Sequence, residues 1–125
     1  NIDSSGYYSL YYATLTSGAT IYIRGYYGAY YSELTASQIY VYSYYGAYYA
    51  DIYQPEGEGL NLYLYGEKAG YQADIYCLDS DETCKVYCGS ASACYYAEVI
   101  YSNEDELDLY PDDCGDYAGT VNGDG

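Results

Sequence analysis

Four acidic residues recur along the sequence, each placed between a small residue and an aliphatic one. They are Glu33, Asp51, Asp74 and Glu98. Carboxylate oxygens are the ligands that Ca²⁺ prefers, so a row of these side chains would form a stripe for calcium or another divalent cation. The competing interpretation is a solvated row whose charges splay apart and are screened by water. Beyond a divalent cation, we expect no cofactor.

The cysteines supply a second kind of chemistry. All five lie in the last fifty residues, at Cys77, Cys84, Cys88, Cys94 and Cys114. A zinc site would use a Cys-x-x-Cys pair or His, and the sequence contains neither, so we predict disulfides and an oxidising compartment. The economical pairing joins Cys77 to Cys84 and Cys88 to Cys94 and leaves Cys114 for another chain. Spacing alone leaves other connectivities open.

The strongly negative net charge argues against nucleic acids and anionic membranes as partners. The formal net charge is −16, and the basic residues are Arg24, Lys68 and Lys85. Phosphate backbones and anionic membrane surfaces repel such a chain, and no apolar run approaches the roughly 18 residues of a membrane span. We therefore expect no nucleic-acid partner and no membrane span. No signal-peptide pattern is present, so we expect a mature chain or a fragment of one.

Aromatic content is confined to one residue type, with 26 Tyr and no Phe or Trp. Two interpretations fit this composition: a tyrosine-rich structural material, or a sequence in which Tyr stands for large flat side chains of several kinds. Both interpretations predict the same fold, because the fold requires only a large flat side chain at each Tyr position.

A phrase such as Gly-Tyr-Tyr-Gly-Ala-Tyr-Tyr recurs, and each copy ends in a small, a polar and an aliphatic residue. These triplets are Ala13-Thr14-Leu15, Ser32-Glu33-Leu34, Ala50-Asp51-Ile52, Ala73-Asp74-Ile75 and Ala97-Glu98-Val99. A second alternating element follows each triplet: Ile21-Tyr22-Ile23, Ile39-Tyr40-Val41, Leu62-Tyr63-Leu64, Cys84-Lys85-Val86 and Leu107-Asp108-Leu109. Alternation with period two predicts strands, and no segment shows a helical period.

Two short strands per repeat cannot bury a core alone, so the repeats must stack. We predict an all-β fold, a parallel β-solenoid (β-helix) of five to six coils of about 18–24 residues. One domain would span residues 1–125, with regular tyrosine-rich coils in 1–65 and acidic, cysteine-containing coils in 66–125. An antiparallel β-sandwich is the alternative, but it does not explain why equivalent positions carry equivalent residues.

Stacking turns each repeat position into a column whose members lie about 4.8 Å apart. On the second strands we expect an outward aromatic ladder of Tyr22, Tyr40 and Tyr63, continued by Lys85 and Asp108 as an ion pair. The doubled tyrosines would each send one ring inward and one outward; they are Tyr11-Tyr12, Tyr30-Tyr31, Tyr48-Tyr49 and Tyr95-Tyr96. Neighbouring carboxylates in the acidic column would repel by about 1 kcal/mol even in water, so we expect bound cations or raised pKa values there.

Residues 85–99, with the sequence KVYCGSASACYYAEV, combine cysteines with the small-polar-aliphatic triplet. The stretch resembles the Cys-Gly-x-x-x-x-Cys-x-x-Ala-x-Ile/Val solenoid repeats of large secreted or surface proteins of algae and other protists, including components of flagellar hairs (mastigonemes). The match covers one repeat well and the others in outline, because the earlier coils lack the cysteines. The resemblance implies an extracellular structural role and transfers no catalytic residue.

The sequence favours a structural subunit of an extracellular filament or cell-surface fibre over an enzyme. The repeats begin soon after Asn1 and the chain ends in Gly123-Asp124-Gly125 without an amphipathic cap. We therefore expect a segment of a longer chain or a homopolymer built by end-to-end stacking.

Two other functions compete with this one. A carbohydrate- or cation-binding extracellular module would hold glycans on the aromatic ladder or divalent cations on the acidic column. A β-helix enzyme acting on polysaccharides would use a carboxylate pair such as Asp51 and Asp74. The chain has no His and only three basic residues to hold an acidic substrate, so we expect no catalytic residues.

Overall fold

The chain folds as an all-β parallel solenoid. A computed structural model describes residues 2–6, 12, 14–16, 20–89, 92–94, 96–110 and 120–123. Its strands form two six-stranded sheets, and the strand pairs within the described ranges are parallel. The predicted β-solenoid is confirmed, and the antiparallel sandwich is excluded because its strands would pair in opposite directions.

Each coil contributes one strand to each sheet. The first sheet runs in the order β1 (Ile2–Ser4), β3 (Thr20–Ile23), β5 (Gln38–Val41), β7 (Leu60–Leu64), β9 (Cys84–Cys88) and β11 (Leu107–Tyr110). The second sheet runs β2 (Thr14–Thr16), β4 (Glu33–Thr35), β6 (Asp51–Tyr53), β8 (Asp74–Cys77), β10 (Glu98–Tyr101) and β12 (Thr120–Gly123). A short 3-10 helix, Glu104–Glu106, precedes β11. No helix among the described residues is long and apolar enough to cross a membrane.

The core consists of columns of aliphatic side chains from both sheets. In the second sheet, Leu34, Ile52, Ile75 and Val99 are register partners in successive strands. In the first sheet, the matching column is Ile21, Ile39, Leu62 and Val86. All of these side chains are buried, and full burial of one such side chain contributes roughly 1.5–3 kcal/mol. The aliphatic position of each predicted strand therefore holds the coils together.

The recurring tyrosine phrase forms a third side of the solenoid, which we call the arc (residues 25–32, 43–50 and 66–73). In the arc, Tyr27 and Tyr31 adopt left-handed backbone conformations with φ of 54° and 55°. Alternate N–H groups close local turns, as when Gly28 donates to Gly25 at 2.9 Å. The intervening N–H groups donate to the next coil, as when Ala29 donates to Gly46 at 2.7 Å. The arc thus pairs its backbone between coils without being a strand.

The prediction that each doubled tyrosine sends one ring inward is wrong for the described pairs. Tyr30 is half-buried beside an exposed Tyr31, and Tyr48 and Tyr49 are both half-buried. The inward positions of the arc go to small residues: Ala29, Ser32, Ala47 and Ala50. Side chains alternate between two faces only in an extended strand, and the left-handed residues of the arc break that alternation. Tyr11 and Tyr95 lie outside the described residues, as does Ala13 of the first triplet.

The register also corrects the predicted continuation of the tyrosine ladder. Tyr63 pairs with Tyr87, whereas Lys85 pairs with Asn61 and with Asp108. Lys85 and Asp108 are therefore neighbours, as expected, but in the column that lies two residues earlier in each strand. Strand β9 contains two alternating triplets, Cys84-Lys85-Val86 and Val86-Tyr87-Cys88, and the pairing selects the second.

Two disulfides lie within one coil, and they join the cysteine pairs predicted from the sequence. Cys77 bonds to Cys84 across the turn between β8 and β9, and Cys88 at the end of β9 bonds to Cys94 before β10. All four side chains are buried. Cys84 and Cys88 occupy the columns of Leu60 and Leu64, so the sulfur atoms fill core positions that aliphatic side chains fill in the preceding coil. Cys114 lies outside the described residues.

Removing one disulfide should destabilise the solenoid measurably. Replacing Cys88→Ala together with Cys94→Ala should lower the free energy of unfolding by roughly 2–3 kcal/mol, because a short loop loses its covalent closure. Guanidinium unfolding followed by circular dichroism measures this change. A matched control removes the other pair with Cys77→Ala and Cys84→Ala, whose loop has nearly the same length. Unchanged unfolding midpoints in both variants would show that the disulfides do not contribute to stability.

Candidate functional site

The acidic residues form a straight column on the outer surface of the second sheet. Glu33, Asp51, Asp74 and Glu98 are the first residues of β4, β6, β8 and β10, and each is the register partner of the next. The inward aliphatic residue that follows each acid fixes this placement, because its burial leaves the acid facing solvent. Glu33 is exposed and the other three are half-buried.

The surroundings of this column oppose ionisation of its central members. Partial burial raises the pKa of the Asp51 carboxyl, and the neighbouring Glu33 charge raises it further. Burial likewise raises the pKa of Asp74, with added repulsion from Asp51 and Glu98. The rings of Tyr53 and Tyr76 lie beside these carboxylates and stack on each other, with ring centroids 4.8 Å apart. Burial, followed by the nearby carboxylates, raises the pKa values of both phenols.

The column is a line of carboxylates and not a cage. Across the part of the chain that the structure describes, no three Asp, Glu or Cys side chains come together to hold a metal ion. A divalent cation would therefore be bound between adjacent members of the line. The cation stripe at Glu33, Asp51, Asp74 and Glu98 stays a prediction.

Neutralising the centre of the column should stabilise the protein at neutral pH. A folded-state pKa above the unfolded value, 3.8 for Asp, gives stability that is present below pH 3.8 and lost as the pH rises through the folded pKa. We expect Asp51→Asn and Asp74→Asn to raise the free energy of unfolding at pH 7 by about 0.2–1 kcal/mol per removed like-charge pair. Near pH 3 the variants and the parent protein should be equally stable.

Guanidinium unfolding at low salt across this pH range measures the difference. Asp81→Asn, at an exposed turn position away from the column, serves as the matched control and should leave stability unchanged. If the variant and the parent protein differ in free energy of unfolding by the same amount at pH 3 and at pH 7, the electrostatic explanation is contradicted.

A surface of tyrosines covers the outer side of the first sheet. We call the tyrosine face the set Tyr22, Tyr40, Tyr42, Tyr63, Tyr65, Tyr87 and Tyr110. The register places Tyr22, Tyr40, Tyr63, Tyr87 and Tyr110 in one column, with Tyr42 and Tyr65 in a second row directly after β5 and β7. The structure therefore places the three predicted ladder residues in neighbouring strands and extends the ladder at both the β9 and β11 positions.

The rings of this face stack along the solenoid axis. Ring centroids are 5.2 Å apart for Tyr22 and Tyr40, and 4.8 Å apart for Tyr40 and Tyr63, with planes within 12° of parallel. Tyr87 is tilted by 46° from Tyr63 but lies 5.0 Å from Tyr110 and within 6° of parallel to it. Neighbouring rings cover one another's faces, so the surface presented to solvent consists mainly of ring edges and hydroxyl groups. A sugar could not stack on the covered faces of these rings.

Two of the three basic residues lie over rings of the tyrosine face. The Arg24 guanidinium lies 5.0 Å from the Tyr22 ring centre and 5.1 Å from that of Tyr42, and it pairs with Asp3 at 3.1 Å. The Lys85 ammonium lies 5.6 Å from the ring centre of Tyr63. A surface groove of about 630 Å³ lies between Arg24 and Glu67, where this face meets the arc.

The turns between the two sheets use their polar groups on one another. The Asp79 carboxylate accepts hydrogen bonds from the N–H groups of Gly57 at 2.7 Å and Asp81 at 2.9 Å. The Gln54 amide donates to the carbonyl of Glu82 at 3.2 Å and accepts from the N–H of Asp79 at 3.1 Å. These contacts join the extra residues of the longer coils to their neighbours. The polar and acidic residues of these turns therefore have a structural role.

Sequence reasoning missed Tyr42, Tyr65, Tyr87 and Tyr110 as members of the tyrosine face. The spacing of two between Tyr40 and Tyr42, repeated at Tyr63 and Tyr65, was the available signal for the second row. Comparison of the chain with protein-family models, with curated proteins and with solved structures finds no match.

Proposed function

We propose that this protein is a structural subunit of an extracellular filament or surface fibre, extended by end-to-end stacking of coils. The observation that carries the proposal is the unchanging parallel register from strand to strand in both sheets. A coil that pairs with the next coil in this way presents the same pairing groups on its far side. Contacts of this head-to-tail kind generate open filaments when no rotation closes them into a ring.

The outermost strands supply the contact surfaces. Among the strands that the structure describes, these are β1 and β11 in the first sheet and β2 and β12 in the second. Outer strands offer backbone N–H and C=O groups to any strand of matching shape. A second copy would add β1 beside β11 and β2 beside β12, in the direction that the parallel sheets already follow.

The disulfides support a location outside the cell. Two disulfides indicate an oxidising environment, and we place the protein in the extracellular space or at the cell surface. The carboxylates form a regular ladder, in which a close pair such as Asp51 and Asp74 follows from the strand spacing alone. A structural role therefore accounts for the column without a reaction.

Charge changes at an outer strand should control assembly of the 125-residue chain. Tyr110 in β11 and Asp3 in β1 belong to the same outward column, so end-to-end stacking would bring them together. Tyr110→Asp would place like charges opposite each other and weaken each contact by roughly 0.2–1 kcal/mol, whereas Tyr110→Lys would create an attractive pair. The critical concentration for assembly, measured by sedimentation, should rise for the first variant and fall for the second.

The same substitutions at Tyr63, in the middle of the column, provide the matched control and should not produce this opposite pair of effects. Fibre diffraction of aligned material should show a reflection at about 4.8 Å along the fibre axis. A monodisperse monomer at every concentration, or equal behaviour of Tyr110→Asp and Tyr110→Lys, would overturn end-to-end stacking.

A further inference from the structure

The tyrosine face exposes the ring atoms that take part in oxidative coupling of phenols. Phenoxyl radicals join through the carbon next to the C–O carbon, which lies on the ring edge. In the column from Tyr22 to Tyr63, neighbouring rings cover the faces and leave the edges outward. Tyr42, Tyr65 and Tyr110 are 41%, 40% and 56% exposed, respectively.

Tyrosines of the arc also stack along the axis, with ring centroids 5.0 Å apart for Tyr27 and Tyr45, but rings of neighbouring columns meet edge to face as well. Tyr27 meets Tyr30 at 66° and Tyr48 at 61°, so ring edges point at neighbouring ring faces. Tyr45 and Tyr71 meet at 72°. Edges of these half-buried rings therefore point at rings of the same copy, whereas Tyr42, Tyr65 and Tyr110 are exposed.

Charge also favours the tyrosine face over the second sheet as the surface where two copies meet. On the first sheet, Arg24 pairs with Asp3, and Lys85 is the register partner of Asp108. The second sheet carries the column from Glu33 to Glu98, and its strands contain no Lys or Arg among their described residues. Two copies of this acidic chain would therefore repel less when their tyrosine faces approach each other than when their second sheets do.

We propose that the tyrosine face is a site of oxidative cross-linking, at which a peroxidase and peroxide join two copies of the chain through dityrosine. Coupling between copies is favoured over coupling within one ladder, because stacked rings present faces to each other and a biaryl bond joins ring edges. The cross-link would bind laterally adjacent solenoids, and it does not require that the solenoids stack end to end.

The reaction balances with hydrogen peroxide as the oxidant. Each of two phenols loses one electron and one proton to give a phenoxyl radical. The radicals form a carbon–carbon bond, and each ring regains aromaticity when its ring proton moves to the oxygen. Peroxide accepts the two electrons and two protons and leaves as two water molecules.

The test treats the 125-residue protein with a haem peroxidase and hydrogen peroxide. We expect covalent dimers with dityrosine fluorescence, and mass spectrometry should find peptide pairs lighter by two hydrogens. The cross-linked peptides should contain Tyr42, Tyr65, Tyr110 or their neighbours in the tyrosine face. Dimers joined mainly through arc tyrosines, or through the exposed column of Tyr12 and Tyr31, would overturn the proposal.

Two matched sets of seven Tyr→Phe substitutions separate this site from general tyrosine oxidation. One set replaces the whole tyrosine face, and the other replaces Tyr27, Tyr30, Tyr44, Tyr45, Tyr48, Tyr49 and Tyr71. Phenylalanine keeps the ring and removes the phenol. The first set should abolish most of the covalent dimer and the second should leave it intact. Equal losses in both sets, or no dimer from the parent protein, would refute the assignment.

Discussion

Backbone hydrogen bonds between successive coils decide where every other group lies. Because the parallel register repeats from strand to strand, one residue position in the repeat becomes one column on the molecule. The side chain at that position therefore lies about 4.8 Å from the equivalent side chains of the neighbouring coils. Aliphatic side chains are stabilised at this spacing by burial, and flat rings are stabilised by stacking. Carboxylates at this spacing repel one another, and burial together with this repulsion raises the pKa values of Asp51 and Asp74.

The arc shows that this constraint does not require β-strands. Residues such as Tyr27, Tyr31, Tyr45 and Tyr49 have φ of 53–56°, a conformation that is uncommon for bulky side chains. The hydrogen bonds between coils offset this cost, because alternate N–H groups of the arc reach the next coil and the remainder close turns. The left-handed residues also turn successive side chains outward. Small inward residues, such as Ala29 and Ala47, then let the arc lie close to the two sheets.

Much of this architecture follows from the sequence, and the exceptions have physical causes. Period-two alternation ending in Leu34, Ile52 or Ile75 predicts strands, and the recurrence of the triplets predicts their stacking. The same alternation misplaced Lys85, because β9 is long enough to hold two alternating triplets and only the neighbouring strands select between them. The arc was misjudged because its tyrosine pairs are not extended. A rule for strands cannot say which side chains of a turn point inward.

The two sheets of this acidic protein carry different outer surfaces, with stacked rings on the first sheet and a carboxylate column on the second. Rings and charges differ in how they respond to close stacking. A stacked aromatic pair contributes roughly 0.5–1.5 kcal/mol beyond burial, whereas like charges placed directly opposite each other are destabilising. Extending the solenoid by a coil therefore adds a favourable ring contact on the first sheet and an unfavourable charge contact on the second. Partial burial of Asp51 and Asp74 adds to the unfavourable term, because it raises the pKa values of both acids and so penalises their charged forms. Protons and cations would reduce the repulsion within the acidic column. The pH and the salt concentration should therefore affect how strongly an added coil binds.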